Sequence, residues 1–240
     1  MPDVEPEPPA QATAKALPVA PWPHTAALLY VLALWSVYGL LHLRVTLMEP
    51  REMTYVSHII VECLLAGSTI AGIYHRRAFL REVFGKAGVR VAALDIGGGV
   101  LVYLAGITAM VVIGAVLQPL HPDYRKEAVL AMAPHSSAEL ALWLGVSLAA
   151  GVCEEMLFRG YLLRQLAGWW GSTLAAIAAS SLLFGCLHLY EGWGAMVGLC
   201  GLGAVYAAVA VLRGNLRSVM VAHFLQDAVT GLVLFLRHGS

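Results

Sequence analysis

Charge is the scarcest commodity in this chain. Only 12% of its 240 residues are Asp, Glu, Lys or Arg, about half the share of a soluble domain. The 15 basic residues cancel the 15 acidic ones. A basic excess is missing, which excludes a surface built to neutralise nucleic-acid phosphates. Cysteine is also sparse. Cys63, Cys153, Cys186 and Cys200 lie in apolar stretches without zinc-ribbon or paired spacing, so they read as small buried hydrophobes. What is abundant is apolar: 59% of the residues are hydrophobic and the mean hydropathy is +0.74. Such a composition belongs to a polytopic membrane protein, with no room for a separate soluble domain.

The expected fold is all-α, a transmembrane helical bundle of about seven spans plus a short amphipathic surface helix. The spans are expected near 25–43, 55–74, 92–117, 137–158, 172–189, 194–212 and 217–236. Residues 1–24 form a Pro-rich tail, holding seven of the eleven prolines, and are expected to be disordered. Residues 25–134 hold the first spans and the surface helix, and 135–240 hold the catalytic core. In the segment 75–90, Arg76, Arg77, Arg81, Lys86 and Arg90 alternate with Phe79, Leu80, Val83 and Phe84, the pattern of a helix lying on a membrane. Gly97-Gly98-Gly99 permits a close helix contact or a break in the third span. Pro119, Pro122 and Pro134 interrupt 118–136, and Ser136-Ser137-Ala138-Glu139 reads as a capping box. Basic residues in short loops favour a cytoplasmic N-terminus.

Polar groups inside apolar runs need a partner or a task, because a charge at the membrane centre costs at least about 2.5–3.5 kcal/mol. Glu154 and Glu155 follow a long apolar run. Glu155 and Arg159 are spaced i, i+4 and can pair, whereas Glu154 is turned about 100° away. Glu154 is therefore the carboxylate available as a base. His188 ends the run Phe184-Gly185-Cys186-Leu187, and His223 and Asp227 share a helix face in the last span. If residues 154–170 descend as one helix and 172–188 climb back, Glu154 and His188 face each other at similar depth. A carboxylate opposite an imidazole is what water activation requires. His58 and Glu62, also i, i+4, read as an interhelical contact in the second span or, alternatively, as a pair that supports the site or gates substrate.

Together, Glu154-Glu155-xxx-Arg159, Phe184-xxx-His188 and His223-xxx-Asp227 resemble the three signature motifs of the CPBP family. This is the CAAX-protease and bacteriocin-processing (Abi) family of intramembrane endopeptidases. The resemblance covers about residues 135–235. It implies that Glu154 and His188 activate water, that Glu155, Arg159 and Phe184 support the site or contact substrate, and that His223 and Asp227 stabilise the oxyanion. Many members carry Asn where Asp227 stands. An ionised Asp would repel an oxyanion, so Asp227 instead orients His223, holds a proton or binds a cation. No cofactor is required in the preferred reading. If a metal is used, zinc would fall on His188, His223 and Glu154. The HExxH of zinc intramembrane proteases is absent, as are the Gly-x-Gly-Asp and Gly-x-Ser-Gly of aspartyl and rhomboid types.

The expected partners are the lipid bilayer and a membrane protein or peptide substrate, with no nucleic acid, in a bacterial inner membrane. Two alternatives stand beside the protease. A proton-coupled transporter would use the same groups as a relay, but no internal repeat is visible. A non-catalytic immunity or scaffold protein would not need a competent residue at every signature position.

Overall fold

The computed structural model describes residues 17–46, 50–84, 88–117 and 130–238. These residues are helical with short connections. α1 runs Trp22–Thr46, α2 Arg51–Gly72, α3 Arg76–Phe84 and α4 Val89–Leu117. Then come α5 Ser137–Glu155, a π-helical stretch Met156–Leu162 and α6 Leu163–Trp170, in one continuous run. α7 is Thr173–Leu187, α8 Trp193–Arg213 and α9 Arg217–His238. Six stretches among the described residues are long and apolar enough to cross a membrane. In α4 only 11% of the most apolar window is buried by protein, and Leu101, Val111 and Val116 point outward. A long helix that shows its apolar side chains to the outside is built for lipid. This is an integral membrane protein.

The expected seven crossings become six plus one shorter helix. α7 has 15 residues, about 22 Å at 1.5 Å per residue, which falls short of a hydrocarbon core about 30 Å thick. Its predecessor explains why. Arg159 does not end the fourth span, because Glu155 neutralises it inside the protein, and the helix continues to Trp170. Gly171 then reverses the chain in the left-handed conformation (φ 66°), and Ser172 caps α7 by accepting from the Ala175 N–H at 3.2 Å. The result is a helical hairpin with Glu154 on its first arm and His188 at the end of its second.

Other local signals behave as their chemistry requires. Ser136 Oγ accepts from the Glu139 N–H at 3.1 Å, while Glu139 Oε2 accepts from the His135 N–H at 2.7 Å, one residue earlier than a strict capping box. The Gly97–Gly99 run does not break α4. Gly99 lies under Val221 and the Ser218 carbonyl of α9, so the glycines buy a close helix contact. The surface helix ends at Phe84, and Arg90 belongs to α4. Lys86, Pro119, Pro122 and residues 1–16 of the Pro-rich tail lie outside the described residues. Residues 19 and 20 of that tail are held by Gln165, whose Oε1 accepts both backbone N–H groups at 2.8 and 3.0 Å and whose Nε2 donates to the Ala20 carbonyl.

Candidate active site

The site forms where α5, the π stretch, α7 and α9 meet. Gly151 makes that meeting close. A Cβ there would lie 2.9 Å from the Phe224 nitrogen and 3.1 Å from the Met220 carbonyl oxygen, so only glycine lets the two backbones approach this far. One turn beyond Gly151 stand Glu154 and Glu155, and His223 lies opposite on α9.

The two adjacent glutamates have different surroundings. Glu155 is fully buried and its Oε1 accepts from Arg159 Nη1 at 2.8 Å. The second guanidinium nitrogen donates to the Gly203 carbonyl at 3.2 Å, and Arg159 Cζ sits 4.4 Å from the centroid of the Phe184 ring. Charge, hydrogen bonds and an aromatic face thus satisfy a guanidinium that has left water. Glu155 Oε1 also meets His223 Nδ1 at 2.8 Å. An ion-paired carboxylate only accepts, so Nδ1 carries the hydrogen and Nε2 is the nitrogen that faces the site.

His223 Nε2 lies 3.6 Å from Asp227 Oδ2 and 3.9 Å from Glu154 Oε2. Glu154 Oε2 is buried without a hydrogen-bond partner. Its side chain is 16% exposed and that of Asp227 35%, against zero for Glu155, so the site opens past Glu154 and Asp227 and is sealed beneath Glu155. Trp143 Nε1 donates to the Asp227 carbonyl at 2.9 Å and ties α5 to α9 at this level.

His188 closes α7 at its C-terminus. Its Nδ1 lies 2.8 Å from the Phe184 carbonyl, an acceptor, so Nδ1 bears hydrogen and Nε2 keeps its lone pair free. Phe184 is the common floor: its ring centroid lies 4.9 Å from that of His188 and 6.0 Å from that of His223. Tyr190 stacks beside His188 at 6.0 Å, in the connection between α7 and α8. Burial pushes the Tyr190 phenol up, helped by the neighbouring Glu191 carboxyl. Burial also pushes the Glu191 carboxyl up, with His188 opposing.

The structure thus brings together Glu154, Glu155, Arg159, Phe184, His188, His223 and Asp227, the whole set read from the sequence. The residue orienting His223 is Glu155, from another helix, rather than Asp227. Glu62 of α2, already singled out with His58 in the sequence, stands in the electrostatic field of Glu154 and of both histidines, whereas His58 packs its ring against Trp35. Among the described residues no three His, Cys, Asp or Glu side chains are grouped to hold a metal ion. His223 Nδ1 is held by Glu155 and His188 Nδ1 by the Phe184 carbonyl, which leaves Nε2 of each ring free, the nitrogen a histidine so held would offer a metal.

Residues 136–229 match the family described as Type II CAAX prenyl endopeptidase Rce1-like. The matched segment begins at the Ser136 cap and includes every signature residue through Asp227. The chain carries a domain of this CPBP/Abi peptidase family. No curated protein and no solved structure matches it.

Proposed function

We propose that the chain hydrolyses a peptide bond of a membrane-associated protein or peptide, with Glu154 and His188 activating the attacking water. The position of Glu154 supports this reading most directly: its side chain reaches the open part of the site, 16% exposed against zero for Glu155, and its Oε2 lies 3.9 Å from His223 Nε2 with no ion pair of its own to Arg159. Its neighbour Glu155 is neutralised by Arg159 and is spent on holding His223. His188, with Nδ1 fixed on a carbonyl, turns a lone pair to the same water. His223, when Nε2 bears hydrogen, offers an N–H to the oxyanion that forms on the carbonyl oxygen. Asp227 accepts from that N–H or donates from its own protonated carboxyl. No metal takes part in this reading.

The test uses the full chain in reconstituted membranes with a panel of prenylated CAAX peptides and unmodified membrane-anchored peptides. Glu154→Ala and His188→Ala should each lower kcat/KM by at least about 100-fold, the lower range for losing a general base. Exhaustive chelation should leave wild-type cleavage unchanged. Cleavage that survives both substitutions sinks the protease reading, and cleavage lost to chelation and restored by zinc sinks the metal-free one.

A further inference from the structure

His188 stands just past the end of α7, where the helix no longer fixes the chain. Its backbone leaves the helical conformation (φ −97°, ψ 14°), and its N–H donates to the Gly185 carbonyl at 2.9 Å. A short 3₁₀ turn follows over Leu189–Glu191. The Glu191 N–H donates to the His188 carbonyl and the Gly192 N–H to the Leu189 carbonyl, each at 2.9 Å. Gly192 ends the turn at φ 105°, a conformation that favours glycine. The turn folds Tyr190 back beside the His188 ring.

The Tyr190 and His188 rings are inclined by 29° with centroids 6.0 Å apart, within the range of offset stacking. Phe184 meets the same imidazole at 4.9 Å and 49°. Tyr190 is itself backed by α1, which lies outside the matched family segment: a Cβ on Gly39 would sit 3.8 Å from Tyr190 Cδ1. From this geometry we infer that Tyr190 is a positioning residue for the hydrolysis: its ring, stacked on His188, keeps His188 Nε2 aimed into the site. This rests on His188 acting on the attacking water.

The bond from Nδ1 to the Phe184 carbonyl fixes one point of the imidazole and leaves the ring free to swing about it. An aromatic face laid against the ring removes that freedom. A reacting lone pair must point at its target, so a swing of the ring would cost rate without changing how substrate binds. The stack uses the face of Tyr190, and its hydroxyl takes no part.

Two substitutions separate the ring from the hydroxyl. Tyr190→Leu stays apolar but removes the aromatic face, and Tyr190→Phe keeps the face and removes only the hydroxyl. In reconstituted membranes, with a peptide that the wild type cleaves, the expected result is a kcat about tenfold lower in Tyr190→Leu with KM within about twofold, and recovery of most of that loss in Tyr190→Phe. A Leu variant as fast as wild type overturns the inference, as does a Phe variant as slow as Leu. A raised KM at unchanged kcat also overturns it, because Tyr190 would then be holding substrate. A second readout needs no substrate. In NMR spectra of the histidine-labelled full chain in detergent, the His188 ring protons, assigned by their loss in His188→Ala, should shift in Tyr190→Leu and stay near their wild-type positions in Tyr190→Phe. Signals that do not move in Tyr190→Leu overturn the inference by themselves. Failure of the protease reading shows separately, as unchanged cleavage by Glu154→Ala and His188→Ala, while the ring-proton shift still reports the stack.

Discussion

Arg159 holds three things at once: the Glu155 carboxylate, the Gly203 carbonyl and the face of Phe184. Lysine cannot reproduce this, because a single ammonium lacks the planar fork. Removing the guanidinium leaves Glu155 buried and uncompensated, a loss of about 3–5 kcal/mol for a buried pair. Arg159→Met should therefore lower the thermal unfolding midpoint in detergent. Adding Glu155→Gln should restore part of it, since the second change removes the orphaned charge. A double variant less stable than Arg159→Met would contradict this. The Glu155–Arg159 pair was legible in the sequence because its spacing lies along one helix. The bond between Glu155 and His223 was not, because it joins residues 68 apart and exists only once α5 and α9 are packed. The role left open for Asp227, that of orienting His223, went to Glu155 for the same reason.

At the scale of elements, function depends on how closely α5 and α9 approach. Gly151 faces backbone atoms of Phe224 and Met220, which cannot rotate aside. Gly151→Ala should push the helices apart by a few tenths of an ångström or more and draw His223 away from Glu154. A loss of about tenfold or more in kcat/KM is expected, since small misplacements at a reacting centre are costly. Gly145→Ala is the control. Its new methyl would meet only the Ile59 Cδ1 end at 3.3 Å, which can shift, so activity should stay within about twofold of wild type. Equal losses in both variants would refute the close-contact argument. The hairpin was readable from Gly171 and from the equal arms on either side of it. The π stretch Met156–Leu162 was not. It is fully buried, and Tyr161 within it hydrogen-bonds Thr25 and His24 of α1, so its geometry is set by partners distant in sequence.

The whole molecule is organised around one basic side. Arg213 pairs with Asp95 at 3.0 Å, and Arg217 also bonds that carboxylate, so the α8–α9 turn sits beside the start of α4. Gln165 binds residues 19 and 20, and the Tyr74 N–H donates to the Val19 carbonyl, so the start of α1, the end of α2 and α6 share that side. Glu62 lies ten residues before Gly72 and Asp227 ten after Arg217. Both are thus about 15 Å from the basic side, half-way through a core about 30 Å thick. At that depth the few charges of the sequence cluster instead of scattering, which is why charged residues inside apolar runs could be read as a site. The basic bias predicts that this side is cytoplasmic. Single cysteines replacing Leu17, Asn215 or His135, in a background without the four native cysteines, test it with a membrane-impermeant maleimide. Leu17→Cys and Asn215→Cys should label in inside-out vesicles, and His135→Cys, at the exposed start of α5, in right-side-out ones. If Leu17→Cys and Asn215→Cys label from opposite sides, the shared basic side is wrong. If all three positions invert together, the packing stands and the cytoplasmic assignment falls.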